Sequence, residues 1–150
     1  MTLAAGFQSN LLTGLAVYIA AAGIEATWAP SGIYTTLQTG IVIGNIPQTP
    51  DRIITLSSYP VSDHPSLSDS VLGVQIRTRA EGADKRKVDN LDDAIFNLFH
   101  GVMHLILTTG VHIVQFPRVS GATLGQDANN RWSNVQNFHA YCWRPSTHRT

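Results

Sequence analysis

His100 and His104 stand four residues apart in the segment His-Gly-Val-Met-His, the spacing that lets two imidazoles on one helix face reach a single metal ion. The segment has no glutamate beside its first histidine, so the metalloprotease pattern is absent, and a third ligand would have to come from the distant His112 or His139. Two polar positions on the outer face of a helix account for the pair more simply, and no metal site is expected. Serines and histidines are plentiful enough to assemble a Ser/His/Asp set on paper, but no Gly-x-Ser-x-Gly elbow exists, and Val119-Ser120-Gly121 matches it only superficially. Asp92 and Asp93 are adjacent, so on a helix they point in different directions and do not suit shared acid/base work. Gly121 and Gly125 are followed neither by Lys-Ser/Thr nor by a helix, which removes the phosphate-cradling loop. No catalytic residue and no cofactor is expected.

Four charged residues are candidates for contact instead of catalysis. Arg77 and Arg79 alternate in a strand-like run, so they project together, either into water or toward an acidic or phosphate-bearing partner. Asp127 and Arg131, four apart at the end of a glycine-containing segment, could pair to fix the base of a loop or reach a neighbouring subunit. Trp132, Phe138, Tyr141 and Trp143 read as sheet-packing aromatics, because no basic stripe surrounds them as a nucleic-acid platform would need.

The elements that position these residues follow from the apolar pattern. A first helix starts after Ser9 or Asn10 and runs to about Ala22, with Gly23 placed to end it. Glu25 to Thr39 reads as a long connection. Gly40 to Ile46 is a short buried strand, and Pro47 and Pro50 turn the chain into a second strand from Asp51 to Tyr59. In the run Val71 to Ala80, Leu72, Val74, Ile76 and Thr78 alternate with Gly73, Gln75, Arg77 and Arg79, giving one face to a core and one to water or a partner. After a charged turn, a helix opens at Val88 or Asp89; its stripe Leu91, Ala94, Ile95, Leu98, Phe99, Val102, Leu105 and Ile106 carries it to Gly110, with Asp89, Asp92 and Asp93 in the first turn. Val111 to Val119 is a strand, Ser120 to Asn130 a polar loop, and Arg131 to Arg144 a final long strand, with a fraying tail from Pro145 to Thr150. The sum is a single α+β domain over residues 1–150, a mostly antiparallel or mixed sheet of about five strands with two main helices packed on one face.

At 150 residues such a domain buries roughly 70% of the surface its unfolded chain would expose. Asp, Glu, Lys and Arg make up only 13% of it, against roughly 25% in a typical soluble domain. A weakly charged surface is either simply polar, covered by Ser, Thr, Asn and Gln, or, being easier to desolvate, one that other subunits or partners cover over large areas. Ten basic and ten acidic residues cancel, arguing against a chain whose task is to grip phosphates. The lone Cys142 has no bridging partner, the N-terminal residues carry no positive charge, and the apolar run from Leu11 to Ala29 is broken by Gly23 and Glu25; assembly inside a cell and no membrane span are expected.

Several ordered pieces resemble a known family: Leu11-Leu12-Thr13-Gly14-Leu15-Ala16 with the alanines that follow, Pro50-Asp51-Arg52, Gly73-Val74-Gln75-Ile76-Arg77-Thr78-Arg79, a Leu91 to Gly101 helix ending Leu98-Phe99-His100-Gly101, and Ser120 to Arg131. Over nearly the whole chain, their order and spacing are similar to the small tail terminator proteins, often labelled minor capsid proteins, of long-tailed phages that infect actinobacteria. The resemblance implies a non-enzymatic virion protein, assembled in the host cytoplasm. It implies a homo-oligomeric ring, hexameric in related systems, that stops tube growth at the head-proximal end of the tail and offers a surface to the head connector. Its partners would be itself, the tail tube protein and the connector, with DNA passing through the lumen without sequence-specific binding. By this analogy Arg77 and Arg79 face a subunit boundary or the opening, and the Ser62 to Ser70 and Gly121 to Asn130 loops face tube or connector. A head-to-tail adaptor or tail-completion protein is the nearest alternative. A small enzyme or ligand-binding domain is more remote and would need a polar pocket, around His100, His104 and His112 for instance.

Overall fold

The computed structural model describes residues 2–150. The first helix, α1 (Phe7–Ala21), begins a turn before the expected caps: Gly6 is its N-cap and accepts the Asn10 amide at 3.0 Å, and Gly23 (φ 77°) follows its end. Eight strands and a second helix follow: β1 (Ala26–Trp28), β2 (Thr39–Ile43), β3 (Ile53–Asp63), β4 (Asp69–Ala80), α2 (Arg86–Phe99), β5 (Met103–Ile106), β6 (His112–Gln115), β7 (Arg118–Gln126) and β8 (Trp132–Trp143).

All the strands belong to one mixed sheet in the order β1-β2-β3-β4-β8-β6-β5, with β7 also paired to β8. β1 and β2 run parallel to their inner neighbours, and every other pairing is antiparallel. The frame is β3, β4 and β8. β4 pairs with β8 along its whole length, from Asp69 opposite Trp143 to Ala80 opposite Trp132. The far edge of β8 is then shared, with β7 along Trp132 to Phe138 and β6 along Tyr141 to Trp143.

The α+β class and both helices on one face are as the sequence indicates. Leu11, Leu12, Leu15, Ala16 and Ile19 of α1 and Ile95 and Phe99 of α2 share one core with Ile54, Leu56, Leu72, Val74, Ile76, Phe138 and Ala140 of the sheet. Phe99 meets Phe116 and Phe138 edge-on at centroid distances of 5.0 and 6.0 Å, tying the end of α2 to β8. These rings are fully buried.

The strand count is larger than about five because β1, β5 and β7 lie in segments whose local pattern is not that of a strand. The second helix stops at Phe99: His100 is already extended and Gly101 takes φ 91°, a conformation glycine adopts without a Cβ clash. Val102, Leu105 and Ile106 fit a helical period by coincidence, and the chain instead forms β5. The Ser120 to Asn130 segment, polar and rich in loop-forming residues, is mostly β7, because the exposed edge of β8 offers it a ladder that outweighs weak propensity. Its register shifts between Thr123 and Gly125, where Gly125 (φ 85°) supplies the bulge. Phe116-Pro117 splits the expected Val111 to Val119 strand into β6 and the start of β7, and β1 lies within the expected connection.

The tail does not fray. The Ser68 amide donates to the Thr150 carbonyl at 2.7 Å, and Arg149 Nη1 and Nη2 bond the His64 carbonyl at 3.1 Å and Ser70 Oγ at 3.0 Å, strapping residues 145–150 to the β3–β4 hairpin.

Candidate assembly surfaces

Arg79 is 4% exposed, at the end of β4 beside the turn that enters β3. Its Nε donates to the Asp51 carbonyl at 2.9 Å, and its Nη2 to the carbonyls of Pro47 and Pro50 at 2.9 and 2.7 Å. Two prolines and the turn they make leave these carbonyls without strand partners, and the guanidinium fork satisfies them. Burial, then the like charge of Arg131, pulls the Arg79 guanidinium below its usual range.

Arg131, equally buried, completes the same clamp from the start of β8. It reaches the Gln48 carbonyl at 2.6 Å, Gln48 Oε1 at 3.1 Å and Asp51 Oδ1 at 3.3 Å. Its Nε donates to Asp127 Oδ2 at 2.8 Å, so the expected pair does fix the base of the β7–β8 turn. Asp127 Oδ1 also accepts the backbone amides of Asn129 and Arg131 at 2.9 and 3.0 Å; the amide of Arg131 above all holds its carboxyl below the ordinary range. Arg79, Arg131 and Asp127 thus meet at one end of the sheet, and most of their donors and acceptors are engaged within the chain.

Arg77 behaves differently. It shares a sheet face with Arg79 as the alternation requires, but it is half-buried, and its Nε is shielded from solvent without a partner. The register sets it between Thr55 of β3 and Val135 of β8, on the face opposite both helices. Ser57, Tyr59, Gln75, Asn137 and His139 alternate onto that same open face. Gln75 Nε2 donates to Asn137 Oδ1 at 3.3 Å, and the Tyr59 ring lies so close over Gly73 that a Cβ there would sit 2.1 Å from it. The open face is mostly uncharged, with half-buried Arg77 near its middle and exposed Asp69 at its hairpin end among the described residues.

The two ends of the sheet differ in chemistry. The clamp end carries Arg52 and Glu81 paired at 3.0 Å, Lys87 3.6 Å from Glu81, and Lys85 bonded to Asp89 at 2.7 Å. The opposite end exposes Val61 and Leu67 on the β3–β4 hairpin, Met103 and Ile106 on β5, and Tyr141 and Trp143 on β8. Ile106 is 68% exposed and Trp143 55%. Such a group of large apolar side chains is what a contact surface presents.

The chemistry candidates do not converge. His100 caps the end of α2, where its Nδ1 accepts the Arg118 amide at 3.1 Å, while His104 lies on β5; they do not share a helix. Instead His104 faces His112 of β6, a meeting that the helical apolar spacing of Val102, Leu105 and Ile106 hides in the sequence. Asp92 lies in the second turn of α2, not the first, and accepts Gln136 Nε2 at 2.8 Å and Thr78 Oγ1 at 3.2 Å; burial pushes its carboxyl above the ordinary range. A cleft of about 640 Å³ beside the hairpin includes Asp63, His64 and Cys142, but the imidazole accepts the Ser66 and Leu67 amides and burial pushes the thiol up to about 12. Among the described residues, no three His, Cys, Asp or Glu groups gather as a metal site, and no helix is long and apolar enough to cross a membrane.

A family model described as bacteriophage tail terminator protein matches residues 18–140. The chain belongs to that family. This tail terminator family member also matches a solved chain from the virion of a native gene transfer agent particle, with a TM-score of 0.65 over 88% of this chain and 93% of that one. At 13% identity the likeness is one of fold. No curated protein matches. The family places the chain among structural components of phage tails, which are not a class of enzyme.

Proposed function

We propose that this protein closes the phage tail: it assembles as a ring, six copies in number, at the head-proximal end of the tail tube, stops tube growth and presents the docking surface for the head connector. The observation that carries this reading is the family match across residues 18–140. Two features of the fold support it. A ring built by one repeated contact needs two different surfaces on each subunit, and the sheet has one end rich in ion pairs and another that exposes large apolar side chains beside the Arg149–Asp63 pair. The open face, which carries little charge beyond Arg77 and Asp69, suits a lumen through which DNA slides, because few fixed cations leave phosphates unclamped. Arg77 lines that opening or a subunit boundary. Asp127 and Arg131 act at the boundary indirectly, by holding the β7–β8 turn in shape.

The test is to make particles lacking the protein and image their tails by electron microscopy. The expected outcome is tails of uncontrolled length. Tails of normal length left unattached to heads would assign the chain to the neck as an adaptor, and normal infectious particles would overturn both assignments.

A further inference from the structure

His104 and His112 lie on adjacent antiparallel strands, joined by a turn that Gly110 (φ 92°) helps to close. His104 Nδ1 is 3.4 Å from His112 Nε2, whereas the ring centroids are 5.6 Å apart and the planes are tilted by 46°. The separations show that the nitrogen-bearing edges, not the ring faces, point at each other. As an N–H···N hydrogen bond, 3.4 Å is long. For two imidazoles on one tetrahedral ion, metal–nitrogen bonds of about 2.0–2.1 Å put the nitrogens about 3.3–3.4 Å apart. The observed spacing therefore matches a shared ion better than a shared proton.

The backbone supports the same reading. His104 is one of three non-glycine residues with positive φ among those described, at 52°, a conformation that a histidine adopts at a cost. The pair is accessible: His104 is exposed and His112 half-buried. We propose that the β5–β6 hairpin is a two-histidine site for a divalent transition metal ion of the zinc or nickel class. His104 binds through Nδ1 and His112 through Nε2, each in its neutral form with the proton on the other ring nitrogen. Borderline ions that favour imidazole fit this donor pair, and hard ions such as Mg²⁺ or Ca²⁺ do not. Water or a group from another chain fills the remaining positions. The site is independent of the assembly reading.

Titration calorimetry of the full chain with Zn²⁺ and with Ni²⁺ at pH 7.5 tests it. One saturable ion per chain is expected. His104→Gln and His112→Gln should each weaken binding at least about tenfold, since loss of even an outer-shell partner costs that much. His100→Gln and His139→Gln should leave binding unchanged. His104→Gly, which relieves the backbone while removing the ligand, should lose the metal and keep the fold by circular dichroism. Absence of saturable binding, or binding that survives both the His104 and His112 variants, would overturn the proposal.

Discussion

Arg77 and Arg79 are two residues apart on one strand face, yet the surroundings give them different work. Arg79 satisfies three turn carbonyls, so Arg79→Ala strands buried acceptors and should destabilise the chain by about 2–3 kcal/mol, the usual worth of hydrogen bonds to a charged group. Urea unfolding measures it. Arg77→Met, which keeps the stem but removes the unpartnered guanidinium, should change stability by less than about 1 kcal/mol. Under the ring reading, its effect appears in assembly. Asp92 and Asp127 should have opposite pH signatures. Asp92 has a raised carboxyl, so it binds a proton more readily folded than unfolded and weakens the fold as pH rises past its ordinary 3.8. Asp92→Asn should therefore stabilise the protein at pH 7, with the gain disappearing below about pH 4. Asp127 is lowered, so its contribution is present above 3.8 and lost as pH falls through its folded value. Asp127→Asn should flatten the acid limb of a stability–pH profile.

Among the elements, the β3–β4 hairpin shows how local sequence and tertiary partners share control. Alternation in β4 was legible because one face is wholly buried and a one-residue slip would invert it. Tyr59 covering Gly73 was not, since nothing local says that the aromatic across the ladder needs the missing Cβ. Gly73→Ala should displace the Tyr59 ring and cost about 1–3 kcal/mol, read as a lower melting temperature. The hairpin tip depends on the C-terminal strap. Arg149→Ala should speed hydrogen exchange at the Ser68 amide while leaving exchange in β8 unchanged, because the lost bonds lie at the tip. β5 and β7 illustrate the opposite case. Neither has a strong strand signal, and both exist because a neighbouring edge supplies the ladder.

For the whole molecule, the low charge acquires a layout. Arg52, Glu81, Lys85, Lys87 and Asp89 crowd around the clamp end, whereas the hairpin end exposes large apolar side chains whose burial against a partner costs little desolvation. If the apolar end forms one side of the ring contact, Ile106→Asp should shift the oligomer toward monomer in sedimentation velocity. Its effect on subunit folding should stay within about 0.5 kcal/mol, because the side chain is already exposed.

By itself the sequence determined the fold class, the two helix starts to within a few residues, the central strands and the family. Each rests on periodic burial or on ordered residues that a single chain displays. Only the tertiary structure decided where α2 ends, that the tail is strapped down, that Arg79 and Arg131 converge on one turn, and that His104 meets His112. Those outcomes depend on groups tens of residues apart, and no local period encodes which edge carbonyl or imidazole will be waiting when the sheet closes.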